Sequence, residues 1–164
     1  MKDWKCWKAP SGIPSDMIKT VKIRHFGIVV KDMEKSLIFY RDLLGLNIVA
    51  DNMETGDFID RILGLKEVEV HTVKLGVSKD STLVELLEFK SHNGVTSAKN
   101  RIYDMGPRHL AIEVEDIDSA YRSLVDKGIS FISAPEIAPE GRAKVAFCHD
   151  PDGMPVEIVQ VIGR

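Results

Sequence analysis

Cysteine is scarce in this chain of 164 residues, which limits the kinds of metal site and cross-link that the chain can form. The two cysteines, Cys6 and Cys148, lie far apart and neither belongs to a Cys-x-x-Cys pair. A thiolate metal site or a disulfide framework is therefore not expected. Two free thiols fit the reducing conditions of a cytoplasm.

Long apolar runs and a strong charge imbalance are also missing. No stretch approaches the roughly 20 apolar residues of a membrane span, and the first residues lack the apolar core of a signal peptide. A net charge of −3 argues against nucleic acid or an anionic membrane as a partner. With 44% apolar and 29% charged residues, the composition is typical of a soluble globular domain, and we expect a cytoplasmic protein.

The chain contains an internal repeat of strand, helix and further strands. The order of residue types around His25 and Asp32 returns 84 positions later at His109 and Asp116. Each aspartate follows an apolar strand and can cap the helix that begins after it. This pattern predicts two βαβββ modules in an α+β fold, with helices outside an open, cup-shaped mixed sheet.

The expected boundaries follow from these signals. Residues 1–20 form an extension before a single domain of residues 21–162, which has a first module at about 21–90, a linker at about 91–107 and a second module at about 108–162. The segment from Asp57 to Gly64 is predicted to be either a short helical turn or a loop that covers the functional site. Helices are expected at 33–44 and 117–127, and strands at 21–30, 46–50, 68–76, 82–89, 109–114, 129–132, 143–148 and 155–162.

Four side chains of the repeat predict a metal site. His25 and His109 hold equivalent strand positions, and strand alternation turns both away from the face that packs on the helices. Glu85 and Glu157 each interrupt an aliphatic strand, where a carboxylate is costly unless it is paired or bound to a metal. Two imidazoles and two carboxylates suit one divalent ion such as Zn, Ni, Co, Mn or Fe.

The same residues resemble the signatures of the vicinal oxygen chelate superfamily. The resemblance covers about residues 21–162 and is carried by the segment from His25 to Leu46, by Val84–Glu88, by the segment from His109 to Asp116 and by Asp150-Pro-Asp-Gly-Met-Pro-Val-Glu157. Within that superfamily the sequence is similar to glyoxalase I and to methylmalonyl-CoA epimerase.

The resemblance implies a metal-dependent lyase or isomerase of the glyoxalase type. Its small substrate would present two neighbouring oxygens and react through a metal-stabilised enolate or enediolate. Glu157 or Glu85 would move the proton, and Glu113 and His71 are further candidates. Val29 stands where glyoxalase I has an arginine for glutathione, which makes glutathione a doubtful part of the substrate.

Three other functions remain open alternatives. They are an epimerase-like racemase, an Fe(II) dioxygenase of the extradiol type and a non-catalytic binding protein for small molecules such as drugs. Arg108 and Arg142 are candidates for binding the substrate. Because an open cup leaves sheet edges that need covering, we also expect a homodimer.

Overall fold

A computed structural model describes residues 20–94, 102–103 and 106–163. Residues 1–19 of the predicted extension, with Cys6, and most of the predicted linker lie outside the described residues. The first module contains β1 His25–Val29, α1 Met33–Leu37, β2 Asn47–Thr55, α2 Asp57–Leu63, β3 Glu69–Gly76 and β4 Leu83–Phe89. The second contains β5 Leu110–Glu113, α3 Ile117–Asp126, β6 Glu136–Ile137, β7 Ala143–His149 and β8 Pro155–Val161.

The strands form two four-stranded mixed sheets that repeat one topology. Their orders are β1-β4-β3-β2 and β5-β8-β7-β6. In each sheet the first strand of the module runs parallel to the last, and the remaining pairs are antiparallel. The predicted pair of βαβββ modules in an α+β fold is confirmed, and the first strand of each module lies at an edge of its sheet.

Equivalent aspartates begin the long helices of both modules. The side chain of Asp32 accepts a hydrogen bond from the backbone N–H of Lys35, and Asp116 accepts one from Ser119. Both aspartates lie in extended backbone, as an N-cap residue requires. After α1 the chain continues as a π-helix, Ile38–Leu43, so the helical segment matches the predicted range to within one residue.

One buried core joins the two modules. Leu37, Tyr40 and Leu86 from the first module belong to the same cluster as Ile117 and Ile158 from the second. The Tyr40 hydroxyl donates to Oδ2 of Asp150 across the modules, at 2.9 Å. This core therefore covers one face of each sheet, and the opposite face of each sheet lies outside the core.

Two of the predicted strands differ clearly from the structure, at 129–132 and at 46–50. The strand predicted at 129–132 is wrong: Phe131 makes a single bridge to Cys148, and the true β6 follows at Glu136–Ile137. Pro135 has no backbone N–H for a ladder, so the chain pairs with β7 on either side of it but not through it. The second strand extends to Thr55, beyond the predicted end at residue 50, and the segment from Asp57 is a helix.

Candidate metal centre

His25 and Glu85 form a close pair on neighbouring strands of the first sheet. His25 begins β1, and Glu85 lies beside Gly27 in the parallel ladder of β1 and β4. The Nε2 atom of His25 is 3.0 Å from Oε2 of Glu85. The face of each sheet that carries its glutamate is called the ligand face; in this module it is opposite to the buried residues Val84 and Leu86, which enter the core.

His109 and Glu157 form the corresponding pair in the second sheet. His109 comes just before β5, and Glu157 lies beside Ala111 in the ladder of β5 and β8. The Nε2 atom of His109 is 3.3 Å from Oε2 of Glu157. Glycine and alanine occupy the same place in the two ladders, so each glutamate has a small residue beside it.

The two pairs do not form one cluster within the described part of the chain. No group of three or more His, Cys, Asp or Glu side chains there is arranged to hold a metal ion. Each pair nevertheless sets an imidazole nitrogen against a carboxylate oxygen on a ligand face, where His25 and His109 are both exposed. This donor set fits a divalent ion, and the structure places two halves of the predicted site on equivalent strands.

Lys74 is a neighbour of the first pair that the sequence did not single out. It lies next to Glu85 in the antiparallel ladder of β3 and β4. Its Nζ atom is 2.8 Å from Oε1 of Glu85, so His25 and Lys74 hold different oxygens of one carboxylate. A signal was available, because Lys74 interrupts the apolar strand Val73-Lys-Leu75.

The second pair has an aromatic neighbour in the same place. Phe147 lies next to Glu157 in the ladder of β7 and β8. Its ring meets the His109 imidazole edge to face, with the ring centres 5.5 Å apart. The ligand pairs are thus repeated, whereas their surroundings are charged in one module and apolar in the other.

The two further candidate bases lie in different places. Glu113 is opposite Val159, two positions along from Ala111, and therefore shares the ligand face with Glu157. His71 is opposite Glu88, whereas Lys74 is opposite Glu85, so His71 belongs to the other face of its sheet. There its Nε2 atom is 2.7 Å from Oδ1 of Asp51.

The structure does not bring Arg142 to a ligand pair. It is exposed and comes just before β7, at the end of the ladder remote from Glu157. Arg108 is half-buried and directly precedes His109. Val29 lies on the ligand face of β1 and is 60% exposed, so an apolar residue borders the first pair.

α2 closes one end of the first ligand face. Ile59 of this helix packs with Val70, Leu87 and Phe89, all of which alternate in step with Glu85 along their strands. Neither α2 nor any other described helix is long and apolar enough to cross a membrane.

The sequence profile of the Glyoxalase/Bleomycin resistance protein/Dioxygenase superfamily matches residues 22–158, which include both ligand pairs. The chain belongs to this superfamily. Among solved structures, a glyoxalase family protein from Bacillus cereus superposes with a TM-score of 0.80 at 19% identity, covering 89% of this chain and 97% of that one. That similarity confirms the fold.

Relatives in the superfamily are named for two different reactions. A "Probable lactoylglutathione lyase" from Synechocystis is 32% identical over 143 residues, which cover 85% of this chain and 95% of that protein. A mitochondrial methylmalonyl-CoA epimerase from Mus musculus is 31% identical, with 89% and 76% covered. Glyoxalase I from Leishmania major, described as trypanothione-dependent, is 26% identical with a TM-score of 0.63 and covers 86% and 87%.

Proposed function

We propose that this chain is a metal-dependent lyase or isomerase of the glyoxalase type. The observation that carries the proposal is the repetition of one pair, an imidazole against a carboxylate, at equivalent strand positions of two modules. His25, Glu85, His109 and Glu157 would together hold one divalent ion. Such an ion supplies Lewis-acid polarisation of a substrate carbonyl oxygen.

A homodimer is the proposed way of completing this site. The strand orders leave β1 and β5 at sheet edges, and the ligand-face residues of both strands are exposed in the single chain. An exposed strand edge favours pairing with another surface. In a two-fold arrangement the His25–Glu85 pair of each copy would meet the His109–Glu157 pair of the other, which gives two equivalent sites.

Glu157 is the proposed base. Lys74 donates to one oxygen of Glu85, which leaves that oxygen less accessible to a substrate. Glu157 has an aromatic neighbour in that place. We therefore propose that Glu157 removes the proton from the carbon next to the polarised carbonyl and returns it to the product.

Epimerisation of a carbon acid by the same proton transfer is the second candidate reaction. Val29 favours it, because an exposed apolar side chain lies where glyoxalase I places its arginine for glutathione. Poor use of glutathione adducts is therefore expected. The relative named as a methylmalonyl-CoA epimerase shows that the superfamily includes such a reaction.

The test is exchange of the substrate proton with deuterated solvent by Ni²⁺-loaded protein. The methylglyoxal–glutathione hemithioacetal and methylmalonyl-CoA are compared, and consumption of oxygen is followed in parallel. Glu157→Gln should lower the exchange rate by at least about 100-fold. Glu113→Gln is the matched control, since it makes the same change on the same ligand face.

Two results would contradict the proposal. One is consumption of oxygen with Fe(II), which would indicate a dioxygenase. The other is full exchange in Glu157→Gln together with a loss of exchange in Glu113→Gln. That result would make Glu113, and not Glu157, the residue that transfers the proton. Efficient turnover of the hemithioacetal would overturn only the interpretation of Val29.

A further inference from the structure

The surroundings of the two ligand pairs break the symmetry of the repeat. Lys74 and Phe147 occupy the same ladder position relative to Glu85 and Glu157. One is a cation bonded to its glutamate, and the other is an aromatic ring packed on its histidine. A site built from these two halves therefore distinguishes the two ends of a substrate.

Lys74 has donor capacity beyond its contact with Glu85. Among the described strand residues of the first ligand face it is the one lysine or arginine. Its neighbours there include Ala50 and Thr72, and the Thr72 hydroxyl donates to Glu54. Its side chain is only 25% exposed. An ammonium offers three donors, and the bond to Oε1 of Glu85 uses one of them.

A bound metal would also favour an anion at this place. Glu85 would then share its negative charge between the divalent ion and Lys74, which leaves the ammonium less compensated than in the metal-free chain. A partly buried cation with unused donors is best compensated by a carboxylate that arrives with the substrate. On the other half of the site, the ring of Phe147 beside His109 suits an apolar substituent.

We propose that Lys74 determines specificity by binding a carboxylate that the substrate carries beside its two neighbouring oxygens. This inference rests on the proposed function and narrows its substrate class to carbonyl compounds with their own carboxylate. The carboxylate end lies at Lys74 in the first module and the apolar end at Phe147 in the second.

Two small chelating probes test the assignment by calorimetry on Ni²⁺-loaded protein. Chelated oxalate keeps two outward oxygens that share its negative charge and stand in for the substrate carboxylate, whereas acetohydroxamate presents a methyl group there. Lys74→Met should weaken oxalate binding by roughly ten- to a hundredfold, the loss of one charge-assisted hydrogen bond. Acetohydroxamate binding should change little, and Lys74→Arg should retain oxalate binding.

Lys144→Met is the matched control. Lys144 is 21% exposed and its Nζ atom is 2.7 Å from Oδ2 of Asp118. Lys144 is three positions before Phe147 on β7, so its side chain lies on the face of the sheet opposite to Phe147 and Glu157. The same substitution there should leave the affinity for both probes unchanged.

The outcomes separate this inference from the proposed function. Equal losses for both probes, or no loss for either in a variant that still holds nickel, would overturn the role of Lys74 and leave the metal site standing. Loss of nickel in both Lys74→Met and Lys74→Gln, but not in Lys144→Met, would show that Lys74 acts only through Glu85 and would also overturn it. A wild-type protein that holds no metal would overturn the proposed function itself.

Discussion

Among single residues, Asp150 is a buried carboxylate held by three hydrogen bonds. Its Oδ1 atom accepts from the backbone N–H groups of Asp152 and Met154, and its Oδ2 atom accepts from the Tyr40 hydroxyl. Burial raises the pKa of Asp150 above its usual range, although these donors act in the opposite direction. Burial and the nearby Asp150 carboxylate also raise the pKa of Tyr40 strongly.

A pH dependence of stability follows from Asp150. Because its pKa is higher in the folded than in the unfolded chain, the folded protein binds this proton more tightly. The contribution of Asp150 to the free energy of unfolding is therefore largest at low pH and declines as the pH rises from about 3.8 through the raised pKa. Melting temperatures from pH 3 to 7 should show this decline relative to Asp150→Asn.

Asp152→Asn is the control for this measurement. Asp152 accepts a hydrogen bond from the Lys31 backbone at the surface, and the change there is chemically the same. An equal pH-dependent difference in both variants would mean that the burial of Asp150 is not its cause.

Individual residues of the candidate site were predictable from the sequence to different degrees. His25 and His109 stand out because the repeat places them at one position, and Glu85 and Glu157 because they interrupt aliphatic strands. Strand alternation also assigns Glu113 to the ligand face. Lys74 interrupts an apolar strand, but its position beside Glu85 could not be predicted, nor could that of Phe147 beside Glu157. Both positions depend on strand order and register, which the pattern along one strand does not contain.

Among the secondary-structure elements, α1 and α3 begin in the same way. Asp32 and Asp116 accept hydrogen bonds from the backbone N–H groups of Lys35 and Ser119, and these bonds are among the causes that lower the pKa of both aspartates. For Asp32 the largest cause is the side chain of Lys35, and for Asp116 it is the backbone of Ser119. Both helices carry core residues, so their first turns matter for the whole fold.

Removing either cap should lower the melting temperature by a few degrees at pH 7. The effect should shrink as the pH falls below the usual aspartate pKa, because a lowered folded pKa contributes stability only while the carboxylate is ionised. Thermal unfolding of Asp32→Ala and Asp116→Ala measures this. Asp57→Ala is the control, since Asp57 begins α2 after Gly56, which provides no side-chain cap; an equal loss there would contradict the capping account.

The observed helices and strands match the predicted ones where hydrophobic periodicity and capping residues indicate the same boundaries. The helix of the second module ends within one residue of its predicted boundary, because Asp116 and Gly128 mark its two ends. The prediction at 129–132 was wrong, since a short apolar run there packs as an irregular segment. The Phe131 ring meets the Tyr121 ring edge to face, and Ile132 is exposed. Local hydrophobicity does not determine which residues of two strands pair. In the structure the regular pairing with β7 is made by Glu136–Ile137.

At the scale of the whole molecule, the arrangement of the modules keeps the two histidine–glutamate pairs in separate places within the described residues. The shared core fixes the two modules on their helix-covered sides, and the described residues of one chain contain no three-ligand cluster. The repeat in the sequence predicted the two modules and their fold. It could not predict how far apart the pairs lie, because that depends on how the modules pack.

Subunit mixing tests whether the site lies between two copies. Glu85→Ala damages the first pair and Glu157→Ala the second, so each homodimer should hold almost no metal. A heterodimer of the two variants would have one site with both pairs intact and one with neither. Co-expression with two affinity tags should therefore recover about one metal ion per heterodimer, whereas failure to recover any metal in a stable heterodimer would contradict a shared site.

The metal content of the purified protein tests the central claim most directly. Elemental mass spectrometry on wild-type protein loaded with Ni²⁺ and then desalted should give about one ion per chain. His25→Ala and His109→Ala should each lose most of it, because each removes one of four ligands. His71→Ala is the control, since His71 also contacts a carboxylate but lies on the other face. Full occupancy in both His25→Ala and His109→Ala would contradict the proposed site.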